Sequence, residues 1–200
     1  DYLKSCVREI RKGKPVIKFV RNPYRRAFSG YLELCNPKIA RPDAHWTKQH
    51  RRHVLSALMG YSAELEYTFS FRQYISWLTV QNPNLLDLHL RQQFTVAESD
   101  LDVRPHQIEQ GKDGMRALEQ EFGLKDSSER SDLFESEHHN QKTVIAPRPA
   151  VSVFDLGIPV RRTPRFQVIE PTLDEYRRDP VGLRVQQYFA EDFIRYGYEM

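Results

Sequence analysis

The chain has 200 residues and a mass of 23.6 kDa, which fits one domain of ordinary size and is too short for two full-sized ones. Hydrophobic residues at 40% and aromatics at 12% exclude wholesale disorder, because that much apolar surface can build a core against chain entropy. Lys plus Arg exceed Asp plus Glu by only +3, too little for a chain-wide partner such as duplex DNA, so any anion site must be local. No run approaches the roughly 20 apolar residues that span a bilayer, and the start lacks the charged-then-apolar order of a signal peptide. Cys6 and Cys35 are unspaced for zinc and too few for a disulfide scaffold; they read as reduced thiols, with a single bridge as the alternative. The sequence begins at Asp1 rather than Met, which leaves room for an upstream element.

In chain order, Lys14 to Arg21 is a short apolar run with β-branched Val16, Ile17 and Val20, and it reads as a buried strand. Asn22 can serve as N-cap with Pro23 at N1, so a helix is predicted from there to just before Asn36, carrying Tyr24, Phe28, Tyr31 and Leu32 on one face. Residues 36 to 53 are predicted as a loop leading into a helix. Ser70 and Gln73 fit a capping box, and Phe71, Tyr74, Ile75 and Leu78 then form one apolar face of a helix that stops by Asn82 and Pro83. Arg104 to Gln110 reads as a second strand, followed by a helix over Gly111 to Phe122 with a left-handed stop at Gly123.

From Asp126 to Gln141 apolar residues nearly vanish, which predicts an exposed loop. Ala146 to Pro171 holds five of the twelve prolines and is predicted to be extended irregular chain. A last helix is predicted from about Val181 to Tyr196, with Val185, Tyr188, Phe189 and Phe193 inward and Gly197 closing it.

The stretch Phe19 to Tyr31, FVRNPYRRAFSGY, carries the most chemistry. Arg21 sits at the carboxyl end of a predicted strand, where ligands bind in open α/β sheets. Asn22, Arg26 and Ser29 follow at spacings of four and three and share one helix face. Two guanidinium forks, a hydroxyl donor and the free N–H groups of a first helical turn can together hold a dianion. The competing reading is that Arg25 and Arg26 are solvated charges and Ser29 packs.

R-N-P-Y-R-R-A-F-S-G-Y resembles the R-D-P-x-x-R-x-x-S-x-Y element of the Golgi-type carbohydrate sulfotransferases, the family of heparan 2-O and chondroitin/HNK-1 type enzymes and their bacterial relatives. The matching residues are Arg21, Pro23, Arg26, Ser29 and Tyr31, with Asn22 in place of Asp. FSFRQYISWL, from Phe69 to Leu78, is similar to the family's F-x-x-F-x-x-F/Y-L element. LDLHLRQQ, from Leu86 to Gln93, is similar to D-x-H-W-x-P-Q with Leu90 for Trp. The end YFAEDFIRYGYE, from Tyr188 to Glu199, is similar to the closing D-F-x-x-F/Y-G-Y. These matches fall in the family's order.

The resemblance implies that Arg21 and Ser29 bind the 3'-phosphate of 3'-phosphoadenosine 5'-phosphosulfate, the sulfate donor, with Arg26 either a further ligand or structural. It implies no metal. It places His89, at the D-x-H position beside Asp87, as the candidate catalytic base, or else as a capping or packing histidine. Lys142 and Thr143, in HHNQKT, are secondary donor-site candidates by analogy with a late loop of several relatives, or else part of a solvated loop. The family's Lys-bearing 5'-phosphosulfate loop has no counterpart in the twenty residues before Arg21, and an upstream piece is expected to carry it. Animal members are Golgi membrane-anchored and bacterial ones can be cytosolic, so the compartment stays open.

His45, His50 and His53 invite a metal reading, but no carboxylate or Cys stands nearby to complete a shell and the local positive charge opposes a cation. Pro42 to Gln49 mimics D-x-H-W-x-x-Q out of family order and is a decoy or an acceptor-side loop. The cations at Lys48, Arg51 and Arg52 form either an attractor for an acidic sugar chain or a solvated face. The expected fold is a single α/β domain over residues 1–200, three-layer and nucleotide-kinase-like (P-loop-like), with a mostly parallel sheet. The expected function is sulfuryl transfer to a hydroxyl, on a carbohydrate acceptor, with no nucleic-acid partner. The alternative is a catalytically degenerate module that binds a nucleotide or an acidic glycan.

Overall fold

The computed structural model describes residues 10, 12–35, 45–60, 65–127, 142–143, 151–158, 166–167 and 169–200. Cys6, half of the proline-rich stretch and all of the predicted exposed loop except Asp126 and Ser127 lie outside these residues. The chain is mixed α/β. Its elements are β1 (Val16–Val20), α1 (Pro23–Leu34), α2 (His45–Met59), α3 (Phe71–Leu78), β2 (Val103–Gln107), α4 (Gly111–Phe122), β3 (Lys142–Thr143), β4 (Phe166–Gln167), α5 (Leu173–Arg178), α6 (Pro180–Tyr188) and α7 (Ala190–Tyr196). Among the described residues no helix is long and apolar enough to cross a membrane.

Two compact units result. The first gathers Asp1–Asn22, Gln92–Ser136 and Glu191–Glu199. Here β1 and β2 pair in parallel, with Val16 opposite Val103 and Val20 opposite Gln107. Each strand leads in sequence to a helix, as the two predicted strand-to-helix units require. β2 stops at Gln107 because Ile108–Gln110 turns as a 3-10 helix, and Gly123 ends α4 at φ 60°, in the left-handed region that glycine enters without a Cβ penalty.

The second unit spans Pro23–Arg91 and Glu137–Ala190, with Met200. Pro23 is the first residue of α1, and the helix runs to Leu34, as its punctuation predicts. The capping box at α3 forms in both directions: the Ser70 hydroxyl accepts from Gln73 N–H, and the Gln73 side chain accepts from Ser70 N–H at 2.8 Å. α1 packs on α2, α3 and α6, and α5 packs on α6. The core is aromatic. Phe28, Tyr31, Phe69, Phe71, Tyr74, Phe154 and Tyr176 are buried and meet mostly edge-on or tilted. Each such side chain contributes on the order of 2 kcal/mol by leaving water. In place of one final helix, a short α5 precedes α6, and the backbone leaves helical geometry at Phe189 (φ −104°, ψ 24°) before α7.

Candidate functional site

The residues singled out in the sequence fall into two constellations, one in each unit. In the first, Arg21 follows the last residue of β1, and its main chain is held on both sides by one side chain. Gln93 accepts from Arg21 N–H through Oε1 at 2.8 Å and donates to Arg21 C=O through Nε2 at 2.8 Å. Gln93 is itself fixed: its N–H donates to Asp192 Oδ2 at 2.8 Å, while Phe94 N–H donates to Oδ1 at 2.7 Å. Asp192 is fully buried in the first turn of α7, so its charge is compensated by these amides in a dry setting.

Tyr198 adds a further brace, its hydroxyl donating to Glu109 Oε2 at 2.9 Å and lying 3.2 Å from the Val20 carbonyl. Burial, with the Glu109 bond behind it, raises the Tyr198 pKa well above the ordinary phenol value, so it stays a donor. The other Glu109 oxygen accepts from Asn22 N–H at 2.7 Å. The backbone from Val20 to Asn22 is thus pinned, whereas the Arg21 guanidinium makes no hydrogen bond or ion pair with another described residue.

Deeper in this unit, Lys18 on β1 meets the Glu98 carboxylate and the Gln93 carbonyl, and donates to Tyr196 Oη at 2.9 Å. Tyr196 donates in turn to Glu98 Oε2 at 2.9 Å. Burial alone would raise the Glu98 pKa, but the bonds from Lys18 and Tyr196 outweigh it and hold the carboxyl below its ordinary range. With its donors spent in this way, Lys18 is a structural cation.

In the second constellation, Ser29 is half-buried on α1, and its hydroxyl makes no hydrogen bond with another described residue. Arg26, on the same helix, is committed: Nε donates to Arg91 C=O at 3.2 Å and Nη2 to Leu88 C=O. It clamps the turn that carries His89. Gly30 lets this turn lie close, since a Cβ there would stand 3.0 Å from Leu90 Cδ2 and 3.3 Å from the His89 carbonyl. Leu90 is buried at 1% exposure.

His89 is 60% exposed, with Nδ1 paired to Asp87 Oδ1; the same oxygen accepts from His89 N–H at 2.9 Å. Burial tends to raise the Asp87 pKa, but the bonds from His89 prevail and hold it below the ordinary value, so an ionised carboxylate orients the ring. Asp87 N–H donates to His50 Nε2 at 3.3 Å, which commits that nitrogen of His50. Tyr31, the last residue of the first motif, is structural: its hydroxyl donates to Phe69 C=O at 2.7 Å and accepts from Ile158 N–H at 3.1 Å. Lys142 and Thr143 form β3, parallel to β4; their side chains lie outside the described residues.

The cationic cluster of α2 requires a correction. Arg51 is neither solvated nor presented to a ligand; it is 0% exposed. Its Nε donates to Leu65 C=O at 2.6 Å, Nη1 to Leu34 C=O at 2.9 Å and Nη2 to Tyr67 C=O, and the guanidinium lies over the Phe69 ring at 4.9 Å. Leu34 ends α1, whose last carbonyls lack helical partners and carry the negative dipole end, so they help compensate a buried cation there. Nη1 also lies 3.9 Å from Cys35 Sγ. Burial pushes the Cys35 thiol up to about 11 against the opposing effect of Arg51, which keeps it protonated at neutral pH. A second arginine unread in the sequence is Arg72, which forks onto Asp155 at 2.6 and 3.1 Å and onto Asp179 at 2.8 and 2.9 Å.

Comparison with protein-family models, with curated proteins and with solved structures returned no match.

Proposed function

We propose that the chain is the body of a sulfotransferase that moves a sulfuryl group from 3'-phosphoadenosine 5'-phosphosulfate to a hydroxyl, on a carbohydrate acceptor, within a three-layer nucleotide-kinase-like α/β fold. The observation that carries the reading is at Arg21. Its main chain is fixed at the carboxyl end of a parallel strand, and its guanidinium has no ion-pair partner among the described residues. The residues that fix it, Gln93, Asp192 and Tyr198, come from two other segments that resemble the same family. A guanidinium on a fixed main chain, with no ion-pair partner among the described residues, suits recognition of a phosphate dianion.

In this reading Arg21 and Ser29 bind the donor's 3'-phosphate, and Lys142 and Thr143 are further donor-side candidates. Arg26, with two of its nitrogens spent on carbonyls, holds the His89 turn rather than the nucleotide. His89, oriented through Nδ1 by Asp87, takes the acceptor's hydroxyl proton on its other ring nitrogen. As that proton leaves, the acceptor oxygen attacks sulfur in line, a new S–O bond forms, and the S–O bond to the 5'-phosphate breaks. Adenosine 3',5'-bisphosphate departs with the bonding pair. Positioning and charge stabilisation supply the rate, since there is little covalent chemistry for side chains to perform.

The alternative is a module that binds a nucleotide or an acidic glycan without turnover. Transfer of labelled sulfate from the donor to a panel of acidic glycans separates the two. Transfer that falls with His89→Ala supports the enzyme. Nucleotide binding without transfer to any acceptor supports the module, and neither binding nor transfer refutes both.

A further inference from the structure

We infer that Gln93 and Asp192 are positioning residues that set Arg21 for discrimination of a 3'-phosphorylated nucleotide. The inference rests on the donor reading above. Its basis is that the main-chain and side-chain polar atoms of Gln93 are all engaged. The side-chain amide brackets Arg21 N–H and C=O, the backbone carbonyl accepts from Lys18, and the backbone N–H is seated on Asp192. A side-chain amide that pairs with both main-chain groups of one residue imitates a further strand pairing just beyond the end of β1. It fixes the residue's main-chain orientation, and so where its side chain departs, without touching that side chain.

Asp192 anchors the bracket rather than Arg21 itself. Its two oxygens take the successive amides of Gln93 and Phe94, and it is fully buried, so the anchor is insulated from competing water. Arg195, one turn further along α7, lies with its guanidinium 4.4 Å from the Phe94 ring centroid and adds a contact to the same segment. The chain therefore holds one backbone site in a chosen orientation through a bracket and its anchor, and no described residue pairs with the cation at that site.

The test compares the full chain with Gln93→Met, which keeps side-chain length and loses both bonds to Arg21. Calorimetry measures affinity for adenosine 3',5'-bisphosphate and for adenosine 5'-phosphate, which lacks the recognised group. The wild type is expected to prefer the bisphosphate, and Gln93→Met to lose about tenfold of that preference while its affinity for the monophosphate stays the same. A merely structural role would weaken both ligands together and leave their ratio intact, and that result overturns the inference. A wild type that does not discriminate refutes the donor reading itself; a Gln93→Met that discriminates as well as the wild type refutes only the inference. Where the variant does not fold, hydrogen exchange on the wild type decides: the Arg21 amide, bonded to Gln93, should be protected, and exchange at the rate of an open amide overturns the bracket.

Discussion

Gly182→Ala puts a methyl group where the backbone leaves no room. A Cβ built on Gly182, in the first turns of α6, would stand 1.8 Å from the Tyr176 carbonyl oxygen, 2.5 Å from its carbon and 3.1 Å from its Cα. All three atoms are backbone of α5, so no rotamer change relieves the clash, and the two helices must part by roughly 1 Å before contact becomes tolerable. Such a shift is resisted because the Tyr176 ring stacks on Tyr24 at 4.5 Å and packs against Phe154 at 5.0 Å. Overpacking typically costs about 1–3 kcal/mol, and an obstacle that cannot move puts this one at about 3 kcal/mol or above. For a chain of this size that lowers Tm by about 6–12 °C. Far-UV circular dichroism during heating, paired with urea titration at an unchanged m-value, reads the loss. Gly60→Ala serves as control: nothing lies within 4 Å of its Cβ, and its φ of +95° restricts the cost to backbone strain of about 1–2 kcal/mol. A Gly182→Ala chain no less stable than the Gly60→Ala chain would refute the packing argument.

Arg72→Met should cost about 1–2 kcal/mol at pH 7 by stripping both aspartates of their fork. Burial would raise the Asp179 pKa, but the bonds from Arg72 and Val181 N–H outweigh it and hold it below the ordinary value, so the folded pKa lies under the unfolded one. Its contribution is therefore complete above about pH 4 and is lost as the pH falls through the depressed value. Urea midpoints should show the gap between wild type and variant narrowing from pH 7 to pH 3; a constant gap contradicts this. Tyr74→Phe should be neutral or stabilise by up to about 1 kcal/mol, because the buried Tyr74 hydroxyl has no hydrogen-bond partner among the described residues. A loss above about 1 kcal/mol on thermal unfolding would mean that this hydroxyl is bonded.

Much of the local structure was legible because local chemistry decides it. Pro23 fixes the start of α1, the reciprocal bonds of Ser70 and Gln73 start α3, and Gly123 ends α4, each within a few residues of sequence. α5 had the same kind of signal, a Thr172 and Glu175 capping box, but it lies just past the proline-rich stretch read as irregular. The break at Phe189 has no Gly or Pro to announce it; that ring and Phe193 are both buried, so packing rather than propensity sets the interruption.

The site was legible in its residue types and not in its commitments. Arg21, Arg26 and Arg51 look alike in sequence. One has no ion-pair partner among the described residues, one clamps a turn and one is caged by carbonyls, because those partners come from elsewhere in the chain. Gln93 and Asp192, 99 positions apart, are joined only by the fold.

Calorimetric titration of the full chain with adenosine 3',5'-bisphosphate, repeated on Arg21→Ala, bears most directly on the proposed chemistry. The account predicts saturable binding by the wild type and a loss of several-fold or more in the variant, since a charge-assisted fork to phosphate is worth about 1.5–3 kcal/mol. Equal affinity in the two chains would contradict it.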